Sequence, residues 1–296
     1  VAPIPWVLLV RRPELSGRRP YWSLWLVGSF FWLAAIHWLR LPHPATILGW
    51  IALSFYLGVY LPLLVGLSRV AVHQPRIPLI VAAPVVWTGL ELARAYVITG
   101  FSMAALGHTQ YRWLSLIQIS DLAGAYAVDF LMFFVAACLA RMISLEGQRR
   151  VYWPLLPAAL MLLATVGYGL VRLEQGKQMS PGPMTRVALI QGSLDSTLHM
   201  TQEEREAGQR RYLELTRQAL TRYGQVDLIV WPESMFGLLE RGMWFSLQTP
   251  VQVPADWERP ASEFQPYVQS LIDANHRHVA DVAHHWEAAL LLGVNA

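Results

Sequence analysis

Charged side chains are scarce in this sequence of 296 residues, where Asp, Glu, Lys and Arg together make up 15%. Soluble domains usually carry about 25%. Hydrophobic residues, by contrast, make up 54% of the chain. A chain with this balance has too few charged groups to cover a water-soluble globule, which excludes an ordinary soluble protein. The composition instead predicts an integral membrane protein.

Cysteine and lysine are rarer still, with one residue of each, Cys138 and Lys177. A single cysteine excludes an internal disulfide bond. Cys138 stands among alanine and phenylalanine, where a buried thiol is normally inert packing. The positive charge is therefore carried by arginines, and these lie in short loops between apolar runs. That placement is typical of membrane topology and predicts no nucleic-acid partner.

A start methionine and a leader are also missing. The sequence begins at Val1, with no charged segment ahead of an apolar run and a small-residue cleavage site. At the other end, residues 288–294 form an apolar run typical of a buried strand, just before Ala296. We expect these residues to be a piece of a longer chain, truncated at both ends.

Long apolar stretches dominate the first part of the chain. About 20 mostly apolar residues are needed to cross a bilayer, and five stretches qualify, while Val1 to Val10 resembles the tail of a sixth. The five stretches are 21–39, 47–68, 78–98, 117–142 and 153–172. The sequence therefore predicts a transmembrane helical domain over residues 1–173, with about five full spans plus one truncated.

Arginines mark alternate loops between these stretches. They are Arg11, Arg12, Arg18 and Arg19 after the first piece, Arg69 and Arg76 after the third, and Arg141, Arg149 and Arg150 after the fifth. By the positive-inside rule these loops are cytoplasmic, and counting crossings places everything after Arg172 on the other side. The charge balance changes there too: residues 1–172 hold 13 Arg and 5 acidic residues, whereas residues 173–296 hold 10 basic and 15 acidic residues.

Two pairs of ionisable residues stand out within the predicted spans. Glu91 and Arg94 are three residues apart on one helix face, and we interpret them as a self-neutralised pair that snorkels to the interface. Asp121 and Asp129 are eight residues apart and would share a face of one continuous helix. They either line a polar cleft, or Asp121 lies at the interface where the helix begins.

The second part of the chain has a different pattern. Residues 174–183 form a polar linker with Gly and Pro, and residues 184–296 alternate between strand and helix patterns. The predicted order is strand 186–190, helix 202–223, strand 227–231, helix 262–287 and strand 288–294. This alternation predicts an α/β layered domain.

One acidic residue in this domain stands out by its position. The apolar strand 227–231 is followed by Pro232, which cannot continue a strand, and then by Glu233. Active groups of α/β sheets gather at the carboxyl ends of strands, and a half-buried carboxylate there can act as a general base. The alternative, judged from spacing alone, is a solvated loop glutamate.

A histidine cluster invites a metal interpretation. His276, His278, His284 and His285 fall in the last predicted helix, but no two are four residues apart, and no cysteine or paired carboxylate completes a ligand set. We interpret them as a solvated helix surface and predict no metal.

Several segments together resemble a known family. The block Val187-Ala188-Leu189-Ile190-Gln191-Gly192, a helix, and then Asp227-Leu228-Ile229-Val230-Trp231-Pro232-Glu233 resemble the opening of a nitrilase-type (carbon–nitrogen hydrolase) domain. Preceded by membrane helices, the arrangement resembles the apolipoprotein N-acyltransferase family. Similar membrane-region segments are Glu91-Leu92-Ala93-Arg94, Thr99-Gly100-Phe101, Leu106-Gly107-His108-Thr109-Gln110, and Gln118 through Gly124-Ala125-Tyr126-Ala127-Val128 to Phe130-Leu131.

The resemblance implies a fold and an activity. The fold is a multi-pass α-helical membrane domain followed by an incomplete nitrilase-like αββα sandwich, of which residues 184–296 are the N-terminal part. The location is the bacterial inner membrane, with the soluble domain in the periplasm. The family is an acyltransferase with a Glu-Lys-Cys triad and without a cofactor. Its partners are a phospholipid acyl donor, a diacylglyceryl-cysteine apolipoprotein acceptor and membrane lipid.

Glu233 matches the family's general base, while the other two triad members have no match. Lys177 is in the linker and Cys138 is in a membrane stretch, so the resemblance implies that the catalytic lysine and cysteine lie beyond residue 296 and that this piece alone is inactive. Smaller departures are Ser193 where Asn is common, Met200 where Trp is frequent, and Phe101-Ser102-Met103 in place of Phe-Pro-Trp. The alternatives are a membrane-tethered nitrilase-type amidohydrolase and a non-enzymatic membrane protein.

Overall fold

The computed structural model describes two compact units. They comprise Val1–Ser180 and Pro181–Ala296, and each is considered by itself below. The described residues are 2–144, 150–178, 182, 184–194, 201–232, 253, 257 and 260–292.

The first unit is built of helices. They are α1 (Ile4–Arg11), α2 (Pro20–Ala35), α3 (Thr46–Gly58), α4 (Tyr60–His73), α5 (Leu79–Arg94), α6 (Leu114–Ile117), α7 (Ser120–Ala123), α8 (Ala125–Met142) and α9 (Leu155–Gln178). Its core lies where α1, α4, α5 and α8 meet, around Leu64, Ala83, Phe133 and Ala137. The Trp87 ring of α5 stacks on Phe133 of α8, with ring centroids 4.6 Å apart.

Three helical segments of the described chain are long and apolar enough to cross a membrane. They are Thr46–His73, which joins α3 and α4, together with α8 and α9. The predicted spans 21–39 and 78–98 instead contain α-helices of 16 residues, α2 and α5, each followed by a short 3-10 helix. Sixteen residues rise about 24 Å, which is short of the ~30 Å hydrocarbon core. By length alone these two helices fall below the limit for a span.

The predicted helix over 117–142 is wrong as one continuous element. Gly124 adopts φ +62° and ψ −162°, and this turn separates α7 from α8. Glycine tolerates a positive φ because it has no Cβ. Asp121 and Asp129 consequently lie on different helices and do not share a face.

Cationic side chains hold the helix ends on the arginine-rich side of this unit. Arg69 of α4 donates to the carbonyl oxygens of Leu9 (3.2 Å) and Pro13 (2.8 Å), at the end of α1. Arg11 in turn donates to the Ile143 carbonyl oxygen at the end of α8 (2.6 Å). The last carbonyls of a helix lack partners within it and carry partial negative charge, so these guanidinium groups satisfy and stabilise both ends.

Helical structure extends into the segment predicted as a linker. Helix α9 continues to Gln178, five residues into the range 174–183. Glu174, Gln175, Lys177 and Gln178 are good helix formers, and Lys177 pairs with Glu174 at 3.2 Å across one turn. The polar composition of this segment therefore indicates the end of the apolar span and not the end of the helix.

The second unit is a small parallel α/β layer. Its elements are β1 (Val187–Leu189), α10 (Gln202–Tyr223), β2 (Leu228–Trp231), α11 (Ala261–Trp286) and β3 (Ala289–Leu292). The strands lie in the order β1-β2-β3, with Ala188 beside Ile229 and Ile229 beside Leu290. These side chains pack against Tyr212 and Trp286 of the two helices, which therefore cover one face of the sheet.

The opposite face of the sheet is apolar and open to solvent. Period-2 alternation directs every second side chain there. The exposed fraction is 46% for Val187, 75% for Leu189 and 58% for Leu291. A sheet that is hydrophobic on both faces is typical of a layer packed on each side.

Candidate active site

The carboxyl end of β2 is the centre of the predicted site. Trp231 is the last residue of the strand and is 3% exposed. Pro232 follows and leaves the strand, as predicted. Glu233 is the next residue in the sequence and lies outside the described residues, so its assignment as general base stays a prediction.

A buried network fixes the position of the strand end. The Trp231 indole N–H donates to the Thr216 hydroxyl oxygen (3.1 Å), and that hydroxyl donates to the Tyr212 carbonyl oxygen (2.8 Å). Thr216 is fully buried. The Trp231 ring also packs on Tyr212, with centroids 5.2 Å apart, and on Trp286 at 6.2 Å. These contacts hold Trp231 in one place and thereby fix where the chain enters Pro232.

The carboxyl end of β1 lies at the same edge of the sheet. The Ile190 N–H donates to the Val230 carbonyl oxygen (2.9 Å), which extends the pairing one residue beyond β1. Gly192 follows, and a Cβ atom there would approach the Tyr212 ring to 2.5 Å. Ser193 has φ +50°, a conformation in which Asn is several-fold enriched. The strand ends thus meet over Tyr212, and glycine is required for the close approach.

Polar residues of the first unit form a separate buried cluster. Arg94 pairs with Glu91, donates to the Met103 carbonyl oxygen (3.0 Å), and lies over the Trp32 ring at 5.2 Å from its centroid. Its exposed fraction is 1%. The snorkelling prediction is wrong, because the chain after α5 folds back over the pair and buries it inside the protein.

The two aspartates have different partners. Asp129 is fully buried and accepts from the Gly107 N–H at 2.6 Å. Asp121 instead accepts from the Tyr168 hydroxyl (2.8 Å) and from Arg172 Nε (2.8 Å). Asp129 therefore fastens the segment Leu106–Gln110 to α8, whereas Asp121 joins α7 to α9.

The remaining candidate groups give no second site. Cys138 is fully buried in α8 beside Phe134 and Ala158, and Lys177 lies at the exposed end of α9. Within the described ranges, no three His, Cys, Asp or Glu side chains come close enough together to hold a metal ion. His276, His284 and His285 lie on α11, and only the backbone of His278 is described.

Sequence reasoning missed most of the supporting contacts. Tyr212 and Thr216 are four residues apart and so share one face of α10, but nothing in the sequence pairs them with Trp231. Spacing likewise did not predict that the Gly107 N–H donates to the Asp129 carboxylate. The signal available for it was the segment Leu106-Gly107-His108 in the family resemblance.

The fold defines a helical protein with segments long and apolar enough to span a membrane and a small parallel α/β unit, and in the sequence Pro232 and then Glu233 follow the middle strand of that unit. Residues 1–138 match the family described as the apolipoprotein N-acyltransferase N-terminal domain. The chain is also similar to proteins named apolipoprotein N-acyltransferase. That of Geobacter metallireducens is 32% identical over 250 residues (79% of this chain, 47% of the relative). That of Rhodopirellula baltica is 30% identical over 280 residues (84% and 46%).

A third relative, from Vibrio vulnificus, is 27% identical over 245 residues, which is 80% of this chain and 46% of that protein. This chain belongs to the apolipoprotein N-acyltransferase family. It spans a little under half the length of the curated relatives it matches.

Proposed function

We propose that the protein to which these residues belong transfers a fatty acyl chain from a phospholipid to the N-terminal amine of a diacylglyceryl-modified apolipoprotein. The observation that carries the proposal is the extent of the similarity, since the matches to named acyltransferases cover about 80% of this chain. This length exceeds the first unit, so the matched region includes part of the α/β unit as well as the helices.

The proposed chemistry is covalent catalysis in two halves. In the first, a cysteine thiolate attacks the ester carbonyl of the phospholipid, a thioester forms, and the lysophospholipid leaves with the proton. In the second, the apolipoprotein amine attacks the thioester, the amide bond forms, and the thiol is restored. A lysine stabilises the oxyanion in both halves.

Glu233 is the proposed general base. It takes the thiol proton in the first half and the amine proton in the second. The support for this role is the position of Trp231 and Pro232, because the hydrogen bonds through Thr216 to Tyr212 hold the end of the strand that precedes Glu233. General-base catalysis needs the carboxylate within hydrogen-bonding reach of its proton, and a carboxylate that follows a well-held strand end is suited to such a role.

The catalytic lysine and cysteine are proposed to be other residues than Lys177 and Cys138. Cys138 is fully buried beside Phe134 and Ala158, within a helix long enough to span a membrane, and a buried apolar thiol is normally inert. The chain of 296 residues is accordingly proposed to be inactive alone.

The α/β unit is proposed to be one layer of a nitrilase-like αββα sandwich. The supporting observation is the apolar, uncovered sheet face formed by Val187, Leu189, Val230 and Leu291. Two sheets that pack face to face bury such residues between them. We further propose an inner-membrane location with this unit on the periplasmic side, because the positive-inside rule places the arginine-bearing loops of the first unit in the cytoplasm.

The test is complementation in bacteria depleted of their own N-acyltransferase. The complete gene product should restore growth and give apolipoproteins an amide-linked acyl chain, and Glu233→Gln should not. Glu203→Gln, an exposed site in α10, is the matched control and should behave as wild type. Release of free fatty acid without an acylated amine would instead favour the amidohydrolase alternative, in which water accepts the acyl group.

A further inference from the structure

Three buried charged groups of the first unit take no part in the proposed reaction. The Trp87 ring of α5 stacks on Phe133 of α8. One helical turn is about four residues, so Glu91 of α5 and Asp129 of α8 each lie one turn from this stack. Asp129 interacts electrostatically with Glu91 and with Arg94, and each of the three is at most 6% exposed. We call Glu91, Arg94 and Asp129 the α5–α8 polar cluster.

One hydrogen-bond donor of this cluster is unused. Arg94 donates from Nη2 to Glu91 and from Nη1 to the Met103 carbonyl oxygen (3.0 Å). Its Nε is buried and has no partner among the residues that the structure describes. The rings of Trp32 and Phe101 lie 5.2 and 6.0 Å from the guanidinium carbon and cover the group. The unused N–H is therefore enclosed within the protein.

One acceptor of the cluster is unused as well. Asp129 Oδ1 accepts from the Gly107 N–H at 2.6 Å. Its Oδ2 is buried and finds no donor in the described part of the chain. Buried polar groups nearly always have a partner, which is either a protein group or ordered water. The cluster thus combines an enclosed donor with an enclosed acceptor, and both require a partner.

We propose that the α5–α8 polar cluster binds an ordered water molecule, which accepts from Arg94 Nε and donates to Asp129 Oδ2. Water can make both contacts because it is donor and acceptor at once. A metal cation would be repelled by the guanidinium group, and an anion by the two carboxylates. The bound water would join the last turn of α5 to the first two turns of α8.

The experiment is X-ray footprinting of the complete protein in lipid nanodiscs. A brief exposure converts water into hydroxyl radicals, which label side chains beside bound water even where these are buried, and mass spectrometry locates the label. Trp32 is the reporter, since it is 9% exposed and its ring lies against Arg94. Trp231 is the matched control, because it is 3% exposed and its indole N–H already has Thr216 as its partner.

We expect Trp32 to be labelled severalfold faster than Trp231. Asp129→Leu removes the acceptor with a side chain of similar size and should slow the labelling of Trp32 severalfold. Ser68→Ala is the matched control variant and should leave it unchanged, because Ser68 lies on α4, is fully buried and also has a hydroxyl without a partner in the described residues.

Equally slow labelling of the two tryptophans in the unmodified protein would overturn the proposal, and this comparison needs no variant to fold. Unchanged labelling of Trp32 in Asp129→Leu, or an equal loss in Ser68→Ala, would overturn it too, because the label would then not depend on the cluster.

A structure of the complete protein, at a resolution that shows ordered water, gives a second readout. We expect a solvent peak within hydrogen-bonding distance of Arg94 Nε and Asp129 Oδ2. Direct contact between these two atoms, or a peak with the short oxygen distances of a metal ion, would overturn the proposal. The site requires only the folded first unit, so these results are independent of whether acyl transfer occurs.

Discussion

Gly192→Ala is the substitution that most directly tests how the strand ends are held. A Cβ atom at Gly192 would lie 2.5 Å from one carbon of the Tyr212 ring and 2.7 Å from the next, where ordinary contacts are 3.4–4 Å. Either the ring or the strand end must therefore move by about 1 Å. Tyr212 is 1% exposed and packs on Trp231, so it has no free space to enter.

The expected cost follows from this overlap. Forcing a methyl group into a well-packed site typically costs about 1–3 kcal/mol. The Ile190 amide reports on the same strand end, because its N–H donates to the Val230 carbonyl oxygen at 2.9 Å. If the substitution destabilises this pairing by that amount, the amide should exchange its hydrogen about 5- to 150-fold faster.

The assay is hydrogen–deuterium exchange on peptides that cover residues 186–194. Gly182→Ala is the control, because no atom lies within 4 Å of a Cβ built at that glycine. Unchanged exchange in Gly192→Ala, or equal acceleration in both variants, would refute the reasoning, since the strand end would then not depend on the packing of Tyr212.

Three other predictions concern helix packing, pH and topology. Gly169→Ala should lower the thermal stability in detergent by a few degrees, because a methyl group there overlaps the Ser115 carbonyl oxygen, whereas Gly167→Ala in open space should not. The pKa of Glu204 is lowered by the hydrogen bonds from the backbone N–H and hydroxyl of Thr201. The stabilisation of α10 by this cap is therefore fully present at pH values above the ordinary carboxyl pKa of about 4.5, and it is lost as the pH falls through the lowered pKa of the folded protein. Amide exchange in the first turn of α10 should speed up over that pH range, and Glu204→Gln should remove this pH dependence. A reporter joined at the end of α9 should be active only if it works in the periplasm, and cytosolic activity would reverse the proposed orientation.

Element type could be predicted well from the sequence of the α/β unit. The helix predicted over 202–223 has the same bounds as α10, where the Thr201 and Glu204 capping box and Gly224 mark the two ends. The helix predicted over 262–287 is displaced by one residue from α11. Both helices are amphipathic, so their period was visible, and Gly224 also marked the end of α10.

Helix breaks in the membrane unit were not predictable from hydropathy. An apolar window gives the same signal whether or not the backbone turns within it, and so the break at Gly124 was missed. The continuation of α9 to Gln178 was missed for the opposite reason, because polar residues ended the apolar signal while the helix went on. Hydropathy reports the lipid-facing length of a segment, and backbone conformation is a separate property.

For the candidate site, the sequence predicted the order of the residues along the chain but not their contacts in space. Pro232, after a buried strand, indicated that the strand ends just before Glu233. The contacts that hold Trp231 come from α10 and α11, and the sequence did not reveal them. The buried Glu91 and Arg94 pair shows the same limit. Its spacing predicted the pairing, while its burial depends on Met103 and Phe101, which fold back after α5.

The central claim is that Glu233 is the general base of an acyl transfer, and thioester formation tests it most directly. The complete gene product and its Glu233→Gln variant would be incubated with a phospholipid that carries a labelled acyl chain and then probed for hydroxylamine-sensitive label on cysteine. Loss of a general base typically slows a reaction by about 10²–10⁴-fold. We expect the unmodified protein to accumulate the thioester and the variant, although folded and inserted, to form it slower by at least that factor. Thioester formation by Glu233→Gln at the unmodified rate would contradict the account.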